Sequence, residues 1–570
     1  MAYTAPTAEQ RFVLEHSAGL THLAASERFA AASDDVVEAV LEGVAGFAAG
    51  EWAPLAKIGD TVGAKWTTAG VVMPEGYAKA YHDYVEGGWG TIGAPEEWGG
   101  QGLPFALQTA VLETLGGANT GFALCPTLTV GAIEALAHHG SPEQQAAYLP
   151  RLSTGEWTGT MNLTEPQAGS DVGALRSRAT PLGNGKWSVK GTKIYISFGD
   201  HDMAPNIVHL VLARTPGAPE GTRGISLFLV PKYRLTADGE PGEANDVRVV
   251  SIEHKMGLHA SPTCVLSFGD HDDCIGELIG AEGGGLRAMF TMMNNARLNV
   301  GLQGVQVAEG AMQGAVAYAL ERVQSARAGS ASRESVRIVE HPDVRRMLMR
   351  MRAQTQAARA LVYHAAGMVD RATLGEDGAR SRLEVLTPLA KAHATDLGNE
   401  VASLGIQVHG GMGYVEETGA ARFFRDARIT PIYEGTNGIQ AADLVGRKLS
   451  LDNGAAFGSL ITDMAATAEH ADLKALVETC DAIGRRLAGT DHDDRLAASY
   501  PFLTMLSVAV CGWLLEAQAR VAPATPFGAA KRATSRFYLD QIVPEALGLR
   551  AAATATAEVL YAMEPEAFAA

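Results

Sequence analysis

Residues 159–280 differ in texture from the chain on either side, and that change limits the folds open to it. Short runs rich in Val, Ile, Leu and Tyr follow one another: "KWSVKGTKIYISF", "NIVHLVLART", "GISLFLVPKY", "VRVVSIEHKMG" and "TCVLSFGD". Gly, Pro, Asp and Asn separate them, as turns separate strands. A parallel nucleotide-binding sheet needs a helix between successive strands, and most of these gaps hold none. A small barrel or sandwich is expected instead. The flanks carry helical periodicity. Upstream, "SDDVVEAVLEGVAGFAAGEW" opens on a cap-like Ser33, and residues 87–104 form a Gly-rich loop between helices. Downstream, apolar positions 344, 347, 348, 351, 358, 361 and 362 share one helical face. In the last segment Leu473, Leu476, Val477, Cys480, Ile483 and Leu487 trace a buried stripe.

The expected class is therefore α+β, in four parts: an N-terminal helical domain (1–158), a central β-barrel-like domain (159–282), a C-terminal helical domain of four-helix type (283–450) and an additional helical segment (451–570). With 570 residues the chain exceeds what one core organises. Hydrophobic residues make up 47% and charged residues 19%, the balance of a globular protein. A net charge of −18 disfavours nucleic acid and anionic membrane surfaces. The first twenty residues lack a signal-peptide pattern, no apolar run is expected to approach membrane-spanning length, and no membrane insertion is expected. Five scattered cysteines without a CxxC pair read as packed thiols of a cytoplasmic protein.

His138–His139, His201 with His209, and His271–Asp272–Asp273 match no metal-ligand spacing and read as solvated surface. "HGGMGY" (409–414) is not GxGxxG, and no Walker loop or GxSxG elbow occurs. "MNLTEPQAGSDVGAL" (161–175) reads by composition equally as a turn or as a strand end whose hydroxyls and backbone N–H groups hold a polar ring edge or a phosphate. In "PIYEGTNGIQ" (431–440) the one carboxylate, Glu434, stands between Tyr433 and Gly435. It is an exposed turn or a general base kept from water.

Together these stretches resemble the acyl-CoA dehydrogenases. "LTEPQAGSDVGA" is similar to the family's first signature, and "IQVHGGMGYVEETGAARFFRDARITPIYEGTNGIQ" (406–440) to its second. "PEEWGGQG" (95–102) and "GTKIYIS" (191–197) resemble further family motifs, and the likeness runs from about 40 to 450. The resemblance implies FAD, an acyl-CoA substrate, removal of hydrogen from the α and β carbons, and an electron-transfer flavoprotein as acceptor. It implies Glu434 as the base. Relatives that carry the base on an earlier helix place it where this chain has Ala296.

The resemblance also assigns contacts. Met161, Leu163, Thr164, Gly169, Ser170, Tyr195, Ile196 and Ser197 would meet the flavin, with Tyr195 and Ser197 standing where the family usually has Trp and Thr. Arg322 and the loop Gln407, Val408, His409, Gly410 and Gly411 would reach FAD across a homodimer interface; Thr436 and Gly438 follow the base. Ser170, Asn294, Arg297, Tyr433 and Gly435 match substrate positions. Arg297 reads equally as an internal ion pair supporting the Glu434 loop.

The 451–570 segment resembles the extension of a long bacterial subgroup that includes 3-methylmercaptopropionyl-CoA dehydrogenases. That points to 3-(methylthio)propanoyl-CoA or a fatty acyl-CoA as substrate, and to a dimer whose extension covers the face short members use to form tetramers. One alternative is an acyl-CoA oxidase. Another is a DNA-associated flavoprotein of the alkylation response, against which the extension's 9 basic and 15 acidic residues weigh.

Overall fold

The computed structural model describes residues 3–570, apart from the side chain of Asn294. The chain divides into two compact units. One comprises Ala39–Ala296 with residues 3–5; the other comprises Pro6–Glu38 and Arg297–Ala570.

In the first unit, helices Tyr77–Glu86, Phe105–Ala118, Thr120–His139 and Pro142–Thr154 precede most of the strands. A hairpin of β1 (Lys65–Thr67) and β2 (Gly70–Val72) separates them from the earlier helix Leu55–Thr61. Among the described residues the N-terminal part is otherwise helical, as expected, and the hairpin is the one addition. Gly70, at φ +126°, closes a turn that other residues adopt poorly. The hairpin is tied down by Val71 N–H to Asp200 Oδ2 (2.9 Å) and by the Trp66 indole to Val249 O (3.2 Å).

The remaining strands are β3 (Thr158–Asn162), β4 (Arg178–Gly183), β5 (Lys186–Ser197), β6 (Ile207–Arg214), β7 (Ile225–Pro231), β8 (Tyr233–Leu235), β9 (Pro241–Ala244), β10 (Val247–Ile252), β11 (Thr263–Phe268) and β12 (Ile275–Ile279). Eight form one sheet in the order β10-β11-β5-β12-β7-β6-β3, with β4 pairing both β5 and β6. The pairings are antiparallel except β3–β6 and the single β4–β6 pair. Successive strand residues face opposite ways. Leu210, Leu212, Leu227 and Leu229 therefore enter a core with Leu136 and Leu149 from the helices and Trp157 from the bend before β3. Val211, Ala213, Phe228 and Val230 enter a second core with Ile196, Leu266 and Phe268. Burial on both faces explains why β6 and β7 read as nearly continuous apolar runs, broken only by His209 and Ser226, with Arg214 at the end of β6.

His201 and His209 lie in this interior, which corrects the surface reading given to them. Thr158 Oγ1 and Thr160 Oγ1 meet their rings at 2.9 and 2.7 Å, and burial pushes each down to about 3, so both are neutral.

In the second unit, helices Pro342–Thr373 and Ala379–His409 pack against the part of helix Gly285–Glu321 beyond Ala296, with Val307, Ala308 and Ala311 in one core with Met347, Met351 and Val401. The extension supplies helices Ala455–Thr467, Ala471–Gly489, Ser499–Val521 and Pro526–Phe537. Its stripe from Leu473 to Leu487 is buried as expected. Cys511 Sγ lies 3.5 Å from Ala357 O, and Lys531 Nζ pairs with Glu9 at 2.7 Å in the interior. All five cysteines are free and buried. Helices Thr120–His139 and Ser499–Val521 are long and apolar enough to cross a membrane by length and composition, contrary to the sequence expectation. Both are mostly buried, as core helices of a globular protein are.

Candidate active site

In the first unit the segment after β3 is held by a buried ion pair. Lys193 Nζ, fully inaccessible, meets Glu165 Oε1 at 2.8 Å and donates to Leu163 O at 3.1 Å. Glu165 also accepts from Arg176 N (2.7 Å) and Ser177 N (3.0 Å). Burial alone would raise this carboxyl, but Lys193 and the other donors hold it down to about 2. Burial pushes Lys193 down to about 8, which leaves it protonated at neutral pH. The pair fixes the backbone on which Met161, Leu163 and Thr164 stand.

Ile194 N–H donates to Thr164 O at 2.9 Å, bringing Thr164 beside Tyr195. Tyr195 sits at φ +59° and leaves its ring 61% exposed, although most large apolar side chains here are covered. An L-residue adopts that backbone at a cost of about 1 kcal/mol. Ser197 pairs with Thr263 across β5–β11. Ile196 points into the core, so its backbone alone can face a ligand. Gly169 and Ser170 are exposed, and a Cβ on Gly169 would meet no atom within 4 Å. An uncovered aromatic side chain next to the Thr164 backbone and an open Gly-Ser turn suit a flat, polar-edged ring, so these residues fit a flavin.

In the second unit the loop 428–436 joins helix Ala420–Ala427 to helix Asn437–Asp443. Asn437 N–H donates to Pro431 O at 2.9 Å, closing the loop on itself. Thr436 caps the following helix by accepting from Ile439 N at 3.1 Å. Glu434 and Gly435 at the tip both have positive φ, +55° and +82°. A left-handed glutamate is strained, and strain of this kind gathers at functional sites. A Cβ on Gly435 would lie 2.8 Å from Gln440 Nε2, which donates to Gly435 O at 3.3 Å. Tyr433 donates its hydroxyl to Gln303. Gly438 is exposed in the first turn of the helix.

Glu434 is pushed up to about 7, chiefly by burial of its carboxyl, with Arg297 and Lys391 opposing. As a residue it keeps partial solvent access. Burial raises Tyr433 above its ordinary value. Arg297 is buried and makes no ion pair among the described residues, and its Nε finds no partner. The internal ion-pair reading of Arg297 therefore fails, although it feels the charges of Asp443 and Glu434. Lys391 is fully buried and pushed down to about 8 by that burial; its Nζ donates to Asn437 Oδ1 at 2.9 Å.

Lys391, Gln303, Asn437 and Gln440 were not singled out in the sequence. A lone Lys inside the apolar stretch "TPLAKAHA" was the available signal. In the same unit Gln407, Gly410 and Gly411 are exposed at the end of helix Ala379–His409, whereas Val408 and His409 are buried. The His409 ring lies tilted against Tyr318, with centroids 4.5 Å apart. Arg322 is exposed and donates to Gln324 at 3.2 Å. The Asn294 side chain lies outside the described residues.

Models of the acyl-CoA dehydrogenase N-terminal, middle and C-terminal domains match residues 34–156, 160–271 and 283–449. A model described as acetyl-CoA dehydrogenase C-terminal like matches 453–564. The chain is 45% identical to a 3-methylmercaptopropionyl-CoA dehydrogenase of Ruegeria pomeroyi, covering 96% of this chain and 97% of that one. It is 35% identical to a butyryl-CoA dehydrogenase of Syntrophomonas wolfei, covering 87% of each. An acyl-CoA dehydrogenase of Bacillus anthracis, solved with FAD, shares the fold at a TM-score of 0.74 and 24% identity, over 92% of this chain and 88% of that one.

Proposed function

The chain belongs to the acyl-CoA dehydrogenase family, and from that premise we propose that Glu434 is the base that opens an FAD-dependent α,β-dehydrogenation of an acyl-CoA thioester. The observation that carries the assignment is the state of this carboxyl. It is pushed up to about 7, no described group donates a hydrogen bond to it, and two cations sit near it without pairing. A carboxylate satisfied by donors is a poor proton acceptor; an unsatisfied one near neutrality is a good one. Glu434 takes the α-proton of the thioester onto its carboxylate. The flavin ring, held by the residues named below, would supply the hydride-accepting chemistry for the β-hydrogen. Gly435 leaves room at the loop tip, and Arg297, with its free Nε, is a donor toward the substrate.

Thr164, Tyr195, Ser197 and the 161–170 segment would hold the flavin ring. Arg322 and Gln407 to Gly411 would reach FAD of a second copy, which makes the expected assembly a homodimer. An electron-transfer flavoprotein in the cytoplasm is the proposed acceptor. The Ruegeria pomeroyi relative supports 3-(methylthio)propanoyl-CoA as substrate, and the Syntrophomonas wolfei relative keeps butanoyl-CoA beside it.

The test is anaerobic bleaching of the purified yellow protein by a panel of thioesters. We expect 3-(methylthio)propanoyl-CoA to bleach it fastest; bleaching by none would sink the reading. Turnover with ferrocenium but little peroxide in air is expected, and the reverse would make the protein an oxidase. The bleaching rate should also rise with pH through about 7, since Glu434 accepts a proton only when ionised. A covering thioester removes more water and moves that midpoint upward. Stopped-flow rates between pH 5 and 9 check the sign, and a rate that falls over this range would contradict it.

A further inference from the structure

Tyr500 belongs to the 451–570 segment, for which the proposed reaction gives no role. Its hydroxyl donates to Asp396 Oδ2 at 2.7 Å. Asp396 Oδ1 accepts from Asn437 Nδ2 at 2.8 Å, and Asn437 Oδ1 accepts from Lys391 Nζ at 2.9 Å. Lys391 is one of the two cations acting on Glu434. Asn437 also donates to Ala392 O at 3.0 Å, so it pins the start of its helix, three residues after Glu434, to helix Ala379–His409. The chain of contacts runs from a partly exposed tyrosine inward to a fully buried lysine.

We propose that Tyr500 is a positioning residue for the proton-accepting loop, acting through Asp396, Asn437 and Lys391, so that the C-terminal segment tunes the base it does not touch. The proposal rests on Glu434 being that base.

The direction follows from the charges at each step. Glu434 faces Arg297 and Lys391. Lys391 faces Glu434, Asp396 and Arg297. Asp396 faces Tyr500, Asn437, Lys391 and Arg428; burial raises it, and these partners oppose the rise. Without the tyrosine hydroxyl, Asp396 takes up a proton more readily. Lys391 then loses one of its two anionic neighbours, and burial favours its neutral form. Glu434 keeps Arg297 but loses much of its second cation, so it holds its proton to higher pH. Asp396 is not among the charges that act on Glu434 directly.

The variant is Tyr500→Phe, which removes one oxygen from a residue 39% exposed. Two midpoints are measured on the FAD-loaded enzyme. One is that of anaerobic bleaching against pH. The other is that of proton uptake on binding acetyl-CoA, which has no β-carbon to oxidise, read by calorimetry in two buffers. Both are expected to move up by about half a unit, which slows bleaching about threefold on the acid limb and leaves the alkaline plateau in place. Asp396→Asn should move both the same way, and carries the test if Tyr500→Phe folds poorly. Midpoints that coincide with wild type overturn the proposal, as does a lower melting temperature with unmoved midpoints. Glu434→Gln run alongside should show neither bleaching nor proton uptake. Wild-type bleaching in that control overturns the base assignment itself, a separate failure.

Discussion

Glu434→Gln is expected to bind FAD and thioester like the parent protein while losing bleaching by about 10³-fold. The amide keeps the shape of the loop tip and its left-handed backbone, so the loop's closing bond from Asn437 N–H to Pro431 O is undisturbed. What it loses is the ability to accept a proton. Arg297 and Lys391 are both buried and both feel Glu434, so the variant also removes an anion that favours their charged forms. Binding and chemistry are separable here: calorimetric titration reports the first and stopped-flow absorbance the second. Rapid full bleaching of the variant would remove Glu434 from the mechanism, whereas loss of thioester binding would recast it as a substrate contact.

Lys193→Met should produce the largest loss of stability among the single changes considered. It leaves the Glu165 carboxylate buried with two backbone donors and the Gln167 amide but no counter-charge, a situation that costs about 3–5 kcal/mol. The loss falls on the segment that carries Leu163 and Thr164, so the variant should also shed FAD during gel filtration. Lys193→Met with Glu165→Gln should recover much of the stability, because the stranded charge is gone. Urea titrations of parent, single and double variants check both statements. A single variant as stable as the parent would show that the pair contributes nothing, and a double variant no better than the single would show that packing, not charge, dominates.

Much of this protein was set by local rules. The switch from helical periodicity to short β-branched runs near residue 159 follows from side-chain geometry along the backbone, and β6 and β7 obey it with both faces buried. The Glu434 loop was legible only through its likeness to a family signature, since residue by residue it reads equally as an exposed turn; the structure adds the positive φ at Gly435 and the Thr436 cap. The hairpin at 65–72 was missed because two three-residue strands carry too little period to register.

Tertiary structure decided what periodicity cannot carry, namely which polar groups lose water and which find partners. His201 and His209 look like surface residues in the sequence, yet both are buried against threonines. Lys391 and Asn437 are 46 residues apart, and Asp396 and Tyr500 are 104 apart. Burial sets the Glu434 carboxyl near 7, and burial is a property of everything packed around a group rather than of its neighbours in the chain. The order of residues places an acid at a strained loop tip; long-range packing determines how readily that acid takes a proton.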